Sequence, residues 1–327
     1  TTKLSPIGDK TSVTVSLADD PDITCKASVK INREKVVGFQ CGYPDVSNVV
    51  AVLYSNGELC FEGEGDVLVF EQGAFPWMDY EGMDDHPVCS VSFGENVTPS
   101  NMNYWFENLE SLTYVDTLPE SVKTMVSTFT GCTGLEAMAD WSGCGNLINV
   151  NYAYSGCSAL SQTVPFTQPI RTAKGTFTDC ISLKSTPDLS GAGSLANMEE
   201  MFLGCSRLSK VSMPPKAVIL AGTFSECINL KEMPAIPTTV TDMNSTFAGD
   251  VSMETLTSIP SFVNDTSSTF SGCEMISGDL EINASPEDYG GMFSDAASAT
   301  KVNLKGTSAI LNEMALTNDG GNVLVNG

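Results

Sequence analysis

The stretch Thr128-Phe129-Thr130-Gly131-Cys132-Thr133-Gly134-Leu135 places an aromatic residue, a cysteine and a leucine three positions apart. Related stretches return every 22 to 25 residues over the last two thirds of the chain. The recurring aromatic positions are Phe106, Phe129, Tyr154, Phe177, Phe202, Phe224, Phe247, Phe270 and Phe293. These nine units predict a repeat architecture, because a fixed period of this length marks one structural unit per repeat.

Three further positions keep the phase of the aromatic residue. Cysteine follows it by three residues in six units: Cys132, Cys157, Cys180, Cys205, Cys227 and Cys273. An apolar residue follows it by six in every unit: Leu112, Leu135, Leu160, Leu183, Leu208, Leu230, Met253, Ile276 and Ala299. Threonine directly precedes it in five units: Thr128, Thr176, Thr223, Thr246 and Thr269. We expect the aromatic, thiol and apolar side chains to form one inward-facing ladder, the structural core of the array.

The local composition of each unit decides between helix and strand. Apolar residues three positions apart are compatible with a helix. The density of Gly, Pro, Ser and Thr within each unit argues against one, because these residues break helices or favour turns. We therefore predict a β-rich leucine-rich-repeat solenoid of short parallel strands and irregular returns, preceded by a small N-terminal β domain. No single unit buries its apolar face alone, so stacked neighbours share a continuous core.

The repeats also resemble a known family. The stretch quoted above and Val240-Thr241-Asp242-Met243-Asn244-Ser245-Thr246-Phe247 resemble the BspA-like leucine-rich repeats of bacterial surface proteins, which phage structural proteins also borrow. Upstream, Gly63-Glu64-Gly65, Pro76-Trp77 and residues 88–98 are similar to the segment that leads into the first repeat of that family. The resemblance covers about residues 58–316. It implies the fold and an exterior location, whereas function must be argued from a site.

The first hundred residues carry strand signals instead of repeats. Alternating patterns at Val13–Leu17 and Cys25–Ile31 predict two strands. Ser55-Asn56-Gly57 lies between two apolar runs and predicts a hairpin. We expect three parts: a small β module for attachment or assembly at 1–57, an N-terminal cap at 58–100, and an array of about nine units at 101–327.

Composition excludes several function classes. In 327 residues, 42% are hydrophobic and 17% are charged, which is typical of a folded protein. No run approaches the roughly 20 apolar residues of a membrane-spanning helix, so we expect no membrane insertion. The net charge of -24 disfavours nucleic acid as a partner. With His86 as the single histidine and no recognised catalytic motif, we expect a non-enzymatic protein.

The cysteines and threonines of the repeats each have two interpretations. Stacked coils about 4.8 Å apart bring neighbouring cysteines close, but their parallel Cβ vectors disfavour disulfides, so we expect a buried column of reduced thiols. The cysteines outside the column are Cys25, Cys41, Cys60, Cys89 and Cys144; a disulfide among the first four is an open alternative. The threonines are expected to satisfy a turn; the alternative is a hydroxyl ladder facing an ordered ligand.

An acidic stretch precedes the array. Between Lys35 and Lys123 there are 15 carboxylates and no Lys or Arg. A solvated acidic face is the favoured interpretation, because the spacing of an EF-hand is absent. A Ca²⁺ site within residues 58–95 and a docking site for a basic partner are the alternatives. His86 lies beside Asp84 and Asp85 in a predicted loop. We expect no other cofactor or metal site, and no catalytic site.

The candidate binding face is the exterior of the strands. If the residue nine after each aromatic points inward, residues eight and ten after it point outward. The eighth positions are Tyr114, Ala137, Gln162, Ser185, Lys210, Glu232, Thr255, Gly278 and Lys301. The tenth positions are Asp116, Ala139, Val164, Pro187, Ser212, Pro234, Thr257, Leu280 and Asn303. The proposed contact residues are Tyr114, Gln162, Lys210, Glu232, Thr255 and Lys301.

Two function classes fit these features. The first, implied by the resemblance, is a recognition or adhesion protein whose array binds a protein or glycan outside a cell. The second is a structural virion component, such as a phage fibre, decoration or tail protein, that assembles with other subunits through its N-terminal β module. Both place the chain on an exterior surface, of a cell or of a virus particle. The chemically mixed outward positions suit a unique protein surface, or no ligand at all, better than a repeating ligand.

Overall fold

The computed structural model describes the backbone of residues 11–17, 20–29, 33–296, 302–306 and 323–325, and the side chains of 33–296 and 302–306. This described part is strand-rich and contains no helix, in agreement with the turn-forming composition of the repeats. It thus has no helix long and apolar enough to cross a membrane. The strands are β1 (Thr11–Leu17), β2 (Asp20–Val29), β3 (Lys35–Gln40), β4 (Gly42–Tyr43), β5 (Val49–Tyr54), β6 (Glu58–Gly63), β7 (Asp66–Val67), β8 (Ser90–Phe93), β9 (Tyr114–Val115), β10 (Ser258–Ile259), β11 (Gly278–Ile282), β12 (Val302–Lys305) and β13 (Val323–Val325).

The two N-terminal strand signals and the hairpin signal are confirmed. Strands β1 and β2 pair antiparallel, with Val13 opposite Ala27. Strands β5 and β6 pair antiparallel around Ser55-Asn56-Gly57, with Leu53 opposite Leu59. Gly57 has a φ of +78°, and a Cβ there would lie 2.8 Å from the carbonyl oxygen of Pro87. Only glycine therefore fits this turn without strain.

A five-stranded sheet links the N-terminal region to the first repeat. Its strand order is β3-β5-β6-β8-β9. Pairing is antiparallel from β3 to β6 and parallel from β6 through β8 to β9, which belongs to the first repeat unit. The expected boundary after residue 57 falls in the turn between β5 and β6. Strands on both sides of that boundary share this sheet.

Within the array, successive units stack through single parallel bridges. One bridge position, five residues before each aromatic, runs through all nine units: Asn101, Thr124, Asn149, Thr172, Asn197, Ile219, Asp242, Asp265 and Asp288. The amides of the first eight aromatic residues then bond to the next unit, as in Phe106 N–H to Thr128 O at 2.9 Å and Phe129 N–H to Ala153 O at 2.8 Å. The units are therefore joined by backbone hydrogen bonds in register.

The nine aromatic rings form one continuous stack. Neighbouring ring centroids are 5.2–5.9 Å apart, and the ring planes differ by 2–22°. At the N-terminal end, Phe106 meets Phe61 and Trp105 at 6.2 and 6.0 Å. The indole N–H of Trp77 donates to the carbonyl of Trp105 at 2.9 Å. Aromatic residues of the 58–100 segment thus cover the first ring of the stack.

Left-handed backbone positions explain why the repeats do not form helices. In every unit, the residues two before and two after the aromatic have a positive φ. The residues two after it are Asn108, Gly131, Gly156, Asp179, Gly204, Glu226, Gly249, Gly272 and Asp295. Glycine, asparagine and aspartate tolerate this conformation best, and they occupy eight of these nine positions. Two residues with positive φ within five positions turn the backbone sharply in each unit.

Candidate interaction surface

The thiols of the cysteine column are buried and hydrogen-bonded inside the array. Each of the six thiols is fully buried and donates to the carbonyl of the aromatic residue one unit earlier, at 3.0–3.2 Å. Burial raises the pKa of Cys132 and of Cys205 to about 12. All ten cysteines with described side chains are free, including Cys41, Cys60 and Cys89. The column is therefore a structural feature without a reactive thiolate; the side chain of Cys25 lies outside the described residues.

The threonines that precede the aromatics also face inward. Thr128, Thr176, Thr223, Thr246 and Thr269 are fully buried. Each hydroxyl donates to a backbone carbonyl one unit earlier, for example Thr223 to Met198 O at 2.8 Å. The alternative of a hydroxyl ladder facing a ligand is therefore wrong for these residues. Each of these carbonyls also accepts a backbone amide, so the hydroxyl supplies a second hydrogen bond that links two units.

Asp250 interrupts the cysteine column. It occupies the cysteine position in the unit of Phe247, is fully buried, and neither of its carboxyl oxygens has a hydrogen-bond partner. Burial raises the pKa of Asp250 well above its usual range. Burial without a partner therefore favours the neutral form of this carboxyl group.

Several carboxylates of the acidic stretch are used by the fold. Glu58 accepts hydrogen bonds from Arg33 and Ser92, both at 2.7 Å. Glu62 accepts from the hydroxyl of Tyr54, and burial together with this bond raises the pKa of Tyr54 to about 12. Within the described residues, no three His, Cys, Asp or Glu side chains converge as a possible metal site. The half-buried His86 lies outside any strand, and its amide bonds to the carbonyl of Gly82 at 3.0 Å.

The eighth positions after the aromatics face solvent. Tyr114, Gln162, Lys210, Glu232 and Thr255 are all exposed, whereas Lys301 lies outside the described residues. The structure pairs Glu232 directly with Thr255 through a parallel bridge. The other described contact residues pair with residues outside the proposed set: Tyr114 with Ser90, Gln162 with Ala137 and Lys210 with Ser185.

The expectation for the tenth positions is wrong in part. Ala139, Pro187 and Leu280 are buried, whereas Thr257 is exposed. The units are held by isolated bridges over most of the array, so the alternation of a regular strand is lost within one or two residues. In β11 the alternation is present but has the opposite phase, with Asp279 exposed and Leu280 buried. The exposed face is therefore narrower than the sequence suggested.

Beside the eighth positions lies a cationic cavity that the sequence analysis did not single out. It has a volume of about 490 Å³ and is lined by Lys184, Arg207, Ser209, Asn229, Lys231 and Glu232. The cations come from three consecutive units, those of Phe177, Phe202 and Phe224. A count of charges along the repeats would have found it, because Lys and Arg are scarce in the rest of the array.

Three solved structures share the repeat type at low similarity. A leucine-rich repeat protein from Bacteroides ovatus is 12% identical, with 91% of this chain and 100% of that chain covered and a TM-score of 0.37. A leucine rich cell surface protein from Faecalibacterium prausnitzii is 13% identical, with 95% and 97% covered and a TM-score of 0.29. A leucine-rich repeat protein from Eubacterium ventriosum is 12% identical, with 64% and 94% covered and a TM-score of 0.18. No curated protein matches the chain.

The sequence profile of the BspA type leucine rich repeat region matches the chain in six copies. The matches span residues 86–184, 148–247 and 197–320, which together cover well over half of the chain. They coincide with the stacked units, the aromatic column and the thiol column described above. The chain therefore belongs to the BspA type leucine-rich-repeat family.

Proposed function

We propose that the chain is a non-enzymatic recognition or adhesion protein that uses the exterior of its repeat array to bind a protein or glycan outside a cell. In this proposal the units form one continuous solenoid, and the exposed eighth positions are part of the contact surface. Residues 1–57 attach or assemble the array, and the 58–100 segment caps it. Family membership supports the repeat scaffold, and the surface chemistry supports the role.

The observation that carries the proposal is the contrast between the interior and the exterior of the units. Inside, the same aromatic, thiol and threonine groups repeat, and nearly all their polar atoms are satisfied by the neighbouring unit. Outside, the exposed residues Gln162, Lys210, Glu232 and Thr255 differ from unit to unit. A uniform interior with a varied exterior separates the requirements of folding from those of recognition, as in other repeat proteins with extended binding surfaces.

A binding assay with matched variants tests the proposal. Beads coated with the full chain are applied to epithelial cells, to immobilised mucus glycans and to extracellular-matrix proteins. The test variant carries Gln162→Ala, Glu232→Ala and Thr255→Ala. The control carries Asn146→Ala, Glu287→Ala and Ser261→Ala, which remove the same three chemical groups from exposed positions outside the eighth-position column.

We expect the test variant to lose most of the binding and the control to retain it, with equal melting temperatures for both. Binding by neither the wild type nor the control to any of the surfaces would overturn the recognition role. Equal loss in both variants would overturn the assignment to the eighth positions.

A chain lacking residues 1–32 tests the attachment role without cutting the β3–β9 sheet. Unchanged attachment on the source cell would refute that role for these residues.

A further inference from the structure

Within the array, the basic residues are concentrated in the middle units. Seven of the 16 Lys and Arg, and only five of the 40 Asp and Glu, lie between residues 171 and 231. This segment carries a formal charge of +2 in a chain of -24. A local reversal of sign of this kind attracts anionic ligands to this part of the array, while the acidic units on either side repel them.

The cations of the cavity are largely unpaired. Lys184 and Arg207 are exposed, and within the described residues neither lies within ion-pair distance of a carboxylate. Lys231 lies 3.5 Å from Glu254, but both side chains are more than half exposed, so this pair contributes little. Positive charge that the fold does not neutralise is available to a ligand.

The backbone beneath these side chains is held in place by the neighbouring units. The carbonyl of Lys184 accepts hydrogen bonds from the amides of Ser209 and Lys210, at 3.0 and 3.3 Å. The carbonyl of Lys231 accepts from the amides of Glu254 and Thr255, at 2.8 and 3.1 Å. The Cα positions of the two lysines lie two units apart, about 10 Å at the usual strand spacing. The backbone therefore fixes where these basic side chains leave the array, in a row along the stacking direction of the units.

The lining of the cavity indicates the chemistry of its ligand. Arg207 offers a planar fork of donors that suits carboxylate or sulfate, and Ser209 and Asn229 add neutral hydrogen-bonding groups. All six lining residues are polar, and none is aromatic or aliphatic. Protein partners are usually anchored by buried aromatic or aliphatic side chains, for which this cavity offers no counterpart. A chain of sugars bearing acidic groups and hydroxyls fits the lining better.

We propose that the cavity formed by Lys184, Arg207 and Lys231 binds an anionic polysaccharide, one that carries carboxylate or sulfate groups. This inference rests on the recognition role proposed above and names the class of ligand for this part of the surface. The glycan lies along the units, with its acidic groups at the cations and its hydroxyls at Ser209 and Asn229.

Direct binding to defined polymers tests this assignment. The full chain is measured by surface plasmon resonance against heparin as the sulfated polymer and polygalacturonate as the carboxylated polymer. Dextran is the neutral polymer, and poly-L-glutamate and duplex DNA are the anionic polymers of other classes. The test variant is Lys184→Ser with Arg207→Ser; the control, Lys35→Ser with Lys123→Ser, removes two exposed lysines outside the basic segment and changes the net charge equally.

We expect heparin, polygalacturonate or both to bind, and the binding to weaken as NaCl rises from about 50 to about 200 mM. The test variant should bind about tenfold more weakly, and the control within about twofold of wild type. Equal loss in the control, equal binding of dextran, or tighter binding of poly-L-glutamate or DNA would each overturn the proposal. Binding to neither acidic polysaccharide also overturns it. If the chain then still adheres in the bead assay, the recognition role stands while this ligand assignment fails.

Discussion

At the scale of single residues, the array depends on backbone positions that most side chains cannot occupy. Gly204 has a φ of +72°, and a Cβ there would collide with Oδ1 of Asp179 in the preceding unit. Gly193 is exposed and has no positive φ, and a Cβ added there would have no other atom within 4 Å. Substituting Gly204 tests the cost of a side chain at a left-handed position between units. Substituting Gly193 measures the effect of losing a glycine without that strain.

We expect Gly204→Ala to lower the free energy of unfolding by about 1–3 kcal/mol, because it adds backbone strain and a clash with the neighbouring unit. Gly193→Ala should change it by less than about 0.5 kcal/mol. Urea denaturation followed by circular dichroism measures both. Equal effects of the two substitutions would show that the left-handed position is not under strain.

Asp250 predicts a dependence of stability on pH. Because the folded pKa of this carboxyl is raised, the folded chain retains a proton that the unfolded chain releases above about pH 4. The stability contributed by the neutral group is complete below that pH and is lost as pH rises toward the folded pKa. We expect Asp250→Cys, which restores a thiol to the column, to stabilise the chain by about 1–3 kcal/mol at pH 7 and by less at pH 4.

Thermal melting of the wild type and Asp250→Cys from about pH 4 to about pH 8 measures this difference. The comparison cancels the general repulsion of a chain with a net charge of -24, because both proteins share it apart from this residue. A difference in melting temperature that stays constant over this range would contradict a neutral Asp250 in the folded chain.

Residue spacing predicted that the aromatic and thiol side chains face inward, but it did not predict their hydrogen-bond partners. Phe202 and Cys205 recur with their neighbours at a fixed phase, so a shared inward face follows from the period alone. The bond from Cys205 to Phe177 O depends on the exact offset between two coils, which spacing does not specify. The left-handed positions left a partial signal, the Gly, Asn and Asp two residues after most aromatics.

At the scale of the repeat unit, the stack of aromatic rings is the main contact between neighbours. Phe224 is fully buried, with the rings of Phe202 and Phe247 at 5.7 and 5.6 Å on either side. Phe262 is 67% exposed in a return segment of the same array. Replacing Phe224 therefore affects two interfaces between units, whereas replacing Phe262 affects none of comparable size.

We expect Phe224→Ala to destabilise the chain by about 3–5 kcal/mol, since it leaves a cavity between two rings. Phe224→Leu should cost about 1.5 kcal/mol, because most of the volume is retained. Phe262→Ala should change stability by less than about 0.5 kcal/mol. Urea denaturation of the three variants provides the measurement, and similar losses for Phe224→Ala and Phe262→Ala would contradict a stack that holds the units together.

The unit is also where the sequence interpretation failed. Alternation predicted outward tenth positions, yet Pro187 and Ala139 are buried. Alternation holds only along extended backbone, and most units contribute a single bridge residue to each ladder before the chain turns. Composition showed that the returns are irregular, but it could not show where each strand ends.

At the scale of the whole molecule, charge and core are arranged independently. The same inward-facing groups recur in every part of the array, whereas the formal charge changes from unit to unit and reaches +2 over residues 171–231 in a chain of -24. The choice between display on a cell and display on a virus particle stays a prediction, because either location suits a stable scaffold with a variable exterior. The scaffold itself was predictable because every unit packs against its neighbours through the same positions, so the same residue types recur at a fixed period.

The reduced thiols offer a test of the closed interior over the whole chain. In the native protein, we expect a maleimide reagent to modify the half-buried Cys60 and Cys89 long before any cysteine of the column. The six column thiols are buried, hydrogen-bonded and protonated, so they react only when the units open. Mass mapping of the labelled peptides identifies the sites. In denaturant all eleven cysteines should react without a reductant. Fewer than eleven would reveal disulfides, and early labelling of Cys180 or Cys205 in the native protein would mean that water reaches the centre of the array.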